Sequence, residues 1–419
     1  MRTLPRIGMM STMENRIAKT AWCRSYQAAL KVANYLLGYQ TPEVLEGPGC
    51  VRQLPRAIAA HGIGRVLLVC GPHLYARGAA DSLMEALAAQ EIEAHVFCDL
   101  QANPTDRDVE AGYASFVENA CEAIIAFGGG SPLDCAKAIA VKAAHPTKPV
   151  TAYQGVLKVR TKLVPLFAVP TTAGTGSETT IASVITDAAT HHKASINDPA
   201  LMPTLAVLDP ELTVSLPPHV TATTGMDALC HAVESYTNAT YCTKLENDYA
   251  RRAVRLIFEN LPRAYEQGDD LTARQNLQRA AFYAGRAFTR GCVGYVHAVG
   301  HTLGGLYGVS HGLAMAVILP KVLRQYGPAV YPRLAELADA CGIKANTTAE
   351  RALTLIARIE QLNEQLGIPA GFDCIRDEDI PQIIAWADAE ANPLYPVPVV
   401  WCRGDFERLI GKLKVTTER

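Results

Sequence analysis

Ala123-Ile124-Ile125-Ala126-Phe127-Gly128-Gly129-Gly130-Ser131-Pro132-Leu133-Asp134 runs from an uninterrupted apolar stretch into three glycines and then towards helix formers. Five apolar residues bounded by a turn read as a strand buried on both faces. Glycines at the turn let backbone N–H groups approach an anion closely, and the helix that follows points its positive end at the same place. Ser131 is placed to cap that helix or to donate to a phosphate oxygen. By mechanism this is a pyrophosphate cradle, although the G-x-G-x-x-G fingerprint is absent and so is G-x-x-x-x-G-K-[ST]. The plainer alternative is a tight turn that needs glycine for steric reasons alone.

Working outward, the same grammar repeats. Val66–Cys70 reads as a strand and Ala79–Gln90 as a helix, then His95–Cys98 as a strand and Asp106–Asn119 as a helix. A helix is expected over Asp134–Lys142, and Leu166–Val169 is the next strand. Strands alternating with helices at this spacing imply right-handed crossovers and a parallel sheet covered on both faces. Leu166–Val169 leads into Pro170-Thr171-Thr172-Ala173-Gly174-Thr175-Gly176-Ser177-Glu178, a turn rich in hydroxyls and flexible glycines. Such a loop can wrap a ribose or a nicotinamide edge; the alternative is a hydroxyl-rich helix cap. Two such turns at strand C-terminal ends favour a nucleotide.

After about Pro217 the strand signal disappears. Helices are expected at Met226–Thr237, Asn247–Asn260, Thr272–Phe288, His297–Tyr307, Tyr331–Cys341, Ala349–Leu366 and Ile380–Asp388, punctuated by prolines such as Pro262 and Pro320. The expected organisation is an N-terminal helical extension at 1–40, an α/β dinucleotide-binding domain at 41–216 and an all-helical metal-binding domain at 217–419. A length of 419 residues fits two domains better than one core.

Composition narrows the classes. With 49% hydrophobic and 19% charged residues, the chain is a well-buried globular protein. A net charge of -2 without a long basic block argues against nucleic acid or an anionic membrane as the main partner. Twelve cysteines occur, none spaced C-x-x-C and several inside apolar runs, as expected of reduced thiols in a cytoplasmic protein. No apolar run reaches the roughly 20 residues that span a bilayer. The first forty residues are basic and acid-poor, in the manner of a transit peptide, but apolar spacing from Ala18 to Leu37 favours a helix.

The helical half carries the chemistry. Asp227 and His231 stand four apart, one turn along one helix face, inside an apolar stretch where a lone carboxylate is costly. His297 and His301 repeat that step among glycines at 300, 304, 305 and 308, and His311 follows. Each histidine alone is more often a hydrogen-bonded core residue. Together, one carboxylate and several imidazoles suit Fe²⁺ or Zn²⁺ and not Mg²⁺ or Ca²⁺, without saying which donors bind.

These motifs, in this order and across roughly Tyr39 to Lys414, resemble the iron-containing (group III) alcohol dehydrogenase family. The carriers are Gly128 to Lys137, Pro170 to Glu178, Gly225 to Ala232 and His297 to His311. The resemblance implies a dehydroquinate synthase-like architecture, with Asp227, His231, His297 and His311 as metal ligands and His301 as a proton relay outside the ligand set. It places Asn103, Gly130, Ser131, Thr171, Thr172, Thr175 and Lys193 on cofactor-contacting positions, beside Gly129 and Asp134 of the same cradle. It implies NAD(P)H as cofactor, a small to medium alcohol or aldehyde as substrate, and a homodimer. One departure concerns the cofactor. Many NAD-preferring members have an Asp where this chain has Gly71, so a 2′-phosphate is not repelled here. Maleylacetate reductase, hydroxyacid–oxoacid transhydrogenase and a dehydroquinate synthase-like lyase are the rival activities. Phe167, Phe288 and Tyr295 are expected as pocket walls.

Overall fold

The computed structural model describes residues 12–189 and 193–415. Its strands are β1 (Glu43–Glu46), β2 (Arg65–Cys70), β3 (Glu93–Phe97), β4 (Ala123–Gly128), β5 (Gly155–Val156), β6 (Leu166–Pro170), β7 (Ala182–Thr186), β8 (Lys193–Asn197) and β9 (Leu205–Leu208). Six of them form one all-parallel sheet in the order β1-β9-β6-β4-β2-β3. Every residue of β4 is buried. Ile124 and Ala126 pack into one core with Leu67 and Ile139, while Ala123, Ile125 and Phe127 pack into another with Leu68 and Val169. The two-residue period therefore feeds two separate cores, so both faces of the sheet are covered.

The central helix begins at Gly130 and runs to Ala144, four residues earlier than the expected start at Asp134. Pro132 is tolerated in its first turn because the N–H groups there have no intrahelical partner. A second sheet, β5-β8-β7, was not expected; β7 and β8 pair antiparallel from Ala182↔Asn197 to Thr186↔Lys193. Half-buried strands such as Lys193-Ala194-Ser195-Ile196-Asn197 give little apolar signal.

Beyond Leu208 no strand occurs among the described residues. Nine α-helices follow among the described residues: Pro218–Asn238, Lys244–Glu266, Leu271–Gly291, Tyr295–Tyr307, His311–Tyr326, Tyr331–Ala340, Thr348–Gln365, Ile380–Ala391 and Arg403–Leu413. Pro262 and Pro320 lie inside helices and do not end them. The His311–Tyr326 helix escaped the periodic reading because Ala314 to Pro320 are buried all round and show no amphipathic face. Among the described residues no helix is long and apolar enough to cross a membrane. The N-terminal helix, Thr12–Leu36, is bonded to the helical half of the chain.

Candidate metal and cofactor site

Asp227 and His231 project from Pro218–Asn238, a helix whose central turns are buried on all sides by Met226, Leu229, Cys230 and Val233. His297 comes from Tyr295–Tyr307, and His311 is the first residue of the next helix. Gly312 brings that helix start against the Thr223 carbonyl, where no side chain would fit. Asp227 Oδ1 then lies 3.3 Å from His311 Nε2, 3.8 Å from His231 Nε2 and 4.0 Å from His297 Nε2. His231 stacks between Phe288, at 4.2 Å, and His297, at 4.7 Å between ring centres.

Asp227 Oδ1 and His297 Nε2 are buried and have no hydrogen-bond partner among the described residues. Leaving both unsatisfied is costly unless a cation fills the space between them. Burial pushes the Asp227 carboxyl up, but the surrounding imidazoles outweigh it and hold the group well below its usual range. Burial pushes His231 down to about 3 and His297 well below its ordinary value. An ionised carboxylate with neutral imidazoles is the protonation state that metal ligation requires.

A second group of donors, Cys230, Glu234 and His297, adjoins the first. It is already satisfied internally: His297 Nδ1 lies 2.5 Å from Glu234 Oε2, and Glu234 Oε1 accepts the Val296 N–H at 2.8 Å. Burial also drives the Cys230 thiol far up, away from thiolate. Glu234 thus orients His297 so that its free Nε2 faces Asp227, a carboxylate–histidine support. His301 stands apart, its Nδ1 2.8 Å from Glu390 Oε1, which also accepts from the Tyr395 hydroxyl at 3.0 Å. Burial pulls His301 down, but Glu390 beside it raises it above its ordinary value.

Across from these side chains lie the C-terminal ends of four adjacent strands, β6, β4, β2 and β3. Gly128 has φ +150°, and a side chain there would meet Pro132 at 2.7 Å. Gly129 faces Thr172, at 3.4 Å from a Cβ built on it, and Gly130 faces Thr175 at 3.0 Å. The glycine turn and the threonine loop are therefore packed against each other with bare backbone. A Cβ on Gly174 would meet Thr224 at 2.7 Å, and one on Gly176, whose φ is +61°, would meet the Ala281 carbonyl at 2.8 Å. Thr224 is three residues from Asp227, so the loop reaches the metal-ligand helix one turn from the carboxylate.

The profile of the family described as iron-containing alcohol dehydrogenase matches residues 41–210, and that of the family's C-terminal part matches residues 221–410. The chain belongs to the iron-containing alcohol dehydrogenase family. It is 36% identical over 343 residues to an NAD-dependent methanol dehydrogenase of Bacillus methanolicus, covering 81% of this chain and 90% of that protein. It is 36% identical over 364 residues to a 1,3-propanediol dehydrogenase of Klebsiella pneumoniae, covering 85% and 94%. A solved 1,3-propanediol oxidoreductase superposes with a TM-score of 0.87 at 33% identity, over 90% of this chain and 100% of that one.

Within this alcohol dehydrogenase the four residues expected as ligands come together, and His301 lies beside them with ring centres 5.2 Å from His311. Gly71, Asn103, Gly129, Gly130, Ser131, Thr171, Thr172 and Thr175 fall along the row of strand ends. Lys193 joins them by donating to Asn103 Oδ1 at 3.1 Å. Two expectations change. Ser131 does not cap the helix; it sits inside the first turn and donates to the Ala102 carbonyl. Asp134 is engaged by the loop, accepting from Ser177 Oγ at 3.1 Å, while its carbonyl accepts from Ser183 Oγ at 2.7 Å. Lys137, fully buried, ties the loop down through the carbonyls of Ser177, Thr180 and Ala182 at 2.7–2.9 Å.

Of the expected walls only Phe288 stands at the site. Phe167 is buried in the sheet core, and Tyr295 stacks on Trp401 at 4.4 Å while its hydroxyl accepts from the Trp401 backbone N–H at 2.9 Å. Of the glycines at 300, 304, 305 and 308, Gly300 alone packs closely against a neighbouring helix, at Met315 and Ala314; Gly305 and Gly308 face open space and Gly304 has an ordinary contact. Glu234 and Glu390 were missed in the sequence. Glu234 follows Asp227 and His231 on the i, i+4, i+7 face, a spacing that points to it. Glu390 carries no such signal.

Proposed function

We propose that this chain is an NAD(P)-linked, divalent-metal-dependent alcohol dehydrogenase and aldehyde reductase for small to medium substrates, with Asp227, His231, His297 and His311 as the ligands. The observation that carries the reading is the orphaned, buried Asp227–His297 pair within one turn of a glycine- and threonine-lined strand edge. One oxygen and three nitrogen donors fit Fe²⁺ or Zn²⁺. When bound, the ion supplies Lewis acidity to the substrate oxygen, and the nicotinamide carries the hydride.

The chain's own residues do the rest. Asp227 neutralises part of the positive charge while leaving enough to favour alkoxide over alcohol. Glu234 fixes the His297 tautomer. Phe288 shields the His231 ring from water on one side. His301, held by Glu390 through Nδ1, keeps Nε2 free to pass the alcohol's proton outward. The glycine turn at Gly129–Gly130 and the hydroxyls of Thr171, Thr172 and Thr175 hold the cofactor, with Asn103 and Lys193 at the neighbouring strand end.

Region 41–216 is assigned to the dinucleotide and 217–419 to the metal. Gly71 leaves open space where an acidic side chain would discriminate, so NADP(H) is used at least as well as NAD(H). A lyase acting on phosphorylated or carboxylated substrates is disfavoured because Arg286 and Arg290 are committed to the Gln40 carbonyl, the Asn34 carbonyl and Glu246. The protein is read as a cytoplasmic homodimer, in keeping with its twelve free cysteines. The test is an aldehyde panel with NADH and NADPH on protein loaded with Fe²⁺ or Zn²⁺. Metal-dependent consumption of cofactor is expected; metal-loaded protein that consumes neither cofactor with any aldehyde contradicts the reading.

A further inference from the structure

Two cysteines stand side by side where the strand row meets the adenosine half of the cofactor site. β2 and β3 run parallel, with Val66 beside Ala94, Leu68 beside Val96 and Val69 beside Phe97. One step further in that register sets Cys70 beside Cys98. Side chains alternate faces along a strand, so Cys70 shares a face with Val66 and Leu68, and Cys98 shares it with Ala94 and Val96. The packing agrees, since all six side chains belong to one core on one side of the sheet. Burial pushes the Cys70 thiol up to about 12, and the nearby Cys98 sulfur adds to the rise. Cys70 is fully buried and Cys98 is partly exposed, so Cys98 is the member of the pair that a solute reaches.

We propose that Cys70 and Cys98 form a reversible disulfide, made by a peroxide, that weakens binding of the cofactor's adenosine half. Peroxide transfers an oxygen to the Cys98 sulfur, leaving a sulfenic acid and one water. The Cys70 sulfur then attacks the Cys98 sulfur. The S–S bond forms, the S–O bond breaks, and hydroxide leaves with the Cys70 proton as a second water. Placement of the two sulfurs side by side offsets the reluctance of the buried thiol to ionise. Neighbouring strands lie about 4.8 Å apart, inside the roughly 4.4–6.8 Å between the Cα atoms of a disulfide. The Cβ atoms, which a disulfide holds at about 3.8 Å, must close by about 1 Å. β2 is fixed between β4 and β3, whereas β3 is the end strand of the sheet, so β3 moves. Its C-terminal end leads to Ala102 and Asn103, which Ser131 and Lys193 bond, and Cys70 leads directly to Gly71. The displacement therefore falls on groups assigned to the cofactor. A strained bridge is readily reduced, which makes the modification reversible.

The proposal rests on the cofactor reading above. Its test uses the full chain and takes two readouts besides turnover. One is the linked Cys70–Cys98 peptide, found by mass spectrometry after thiol blocking; the other is affinity for NADPH and NADH, from nucleotide fluorescence. After hydrogen peroxide the linked peptide is expected, with the Kd for either nucleotide raised about tenfold and restored by dithiothreitol. Cys98→Ser and, separately, Cys70→Ala are expected to bind both nucleotides as the reduced wild type does, and to keep that affinity through peroxide treatment. Absence of the linked peptide once the Cys98 thiol has been consumed overturns the proposal. So does a linked protein with unchanged affinity, or a Cys98→Ser protein that loses affinity to the same extent. A protein that binds nucleotide when reduced, forms the bridge and yet turns over no aldehyde strikes the dehydrogenase reading alone. One that binds neither nucleotide strikes both.

Discussion

At the sheet edge the groups offered to a ligand are backbone amides and hydroxyls on two turns, whereas on the helical side they are three imidazoles around one carboxylate oxygen. The edge is self-satisfied: Lys137, Ser177 and Ser183 bond the loop to the elements that flank it, and Gly130 and Gly174 lie too close to Thr175 and Thr224 to leave room for a side chain. The helical cluster is not, since Asp227 Oδ1 and His297 Nε2 are buried without partners among the described residues. A backbone cradle spreads recognition over many weak contacts, any one of which is replaceable. A side-chain cluster concentrates it in a few atoms, each of which must be present.

That contrast orders the expected effects of mutation. His297→Ala or His231→Ala removes one of three imidazoles and is expected to abolish metal retention, with kcat/KM falling by roughly a thousandfold or more. Metal content and turnover, measured on the same preparation, check this; full activity in a metal-free variant breaks the comparison. Glu234→Gln keeps the ligand but weakens its support, and is expected to cost about 10–100-fold in metal affinity. Turnover should return at excess metal, as a direct loss of a ligand would not allow.

On the edge side the effects are smaller. Gly71→Asp has room for the new side chain and is expected to move the NADP(H)-to-NAD(H) ratio of kcat/KM about tenfold towards NAD(H), by repelling a 2′-phosphate. A strong NAD(H) preference already present in the wild type refutes the role given to Gly71. The smallest effect concerns stability. Burial pushes Glu178 up to about 7 from an ordinary 4.5. A raised carboxyl binds its proton more tightly when folded, so this contribution is complete below pH 4.5 and lost as pH rises through about 7. Glu178→Gln is expected to flatten the fall in thermal midpoint between those values; an unchanged slope shows that the carboxyl does not titrate with folding.

The two regions also differed in how much their sequence disclosed. β4 and its glycine turn were legible because an apolar run ending in three glycines has few other structures available. Asp227 and His231 were legible because a four-residue step on an apolar helix forces them onto one face. The His311–Tyr326 helix was not, since burial on every side erases the period that marks a helix. Nor was Glu390, 89 residues from His301, because tertiary packing alone brings the two together. Phe167 and Tyr295 were misplaced for the converse reason: an aromatic residue beside a motif reads the same whether it lines a pocket or fills a core.

Two adjoining donor groups could hold the ion, and the choice between them decides the chemistry. X-ray absorption at the metal edge of Fe²⁺- or Zn²⁺-loaded wild-type protein separates them directly. With Asp227, His231, His297 and His311 as ligands, only nitrogen and oxygen neighbours at about 2.0–2.2 Å are predicted, with the imidazole multiple-scattering signature of three histidines. A sulfur neighbour near 2.3 Å assigns the ion to Cys230, Glu234 and His297 instead, and contradicts that ligand set.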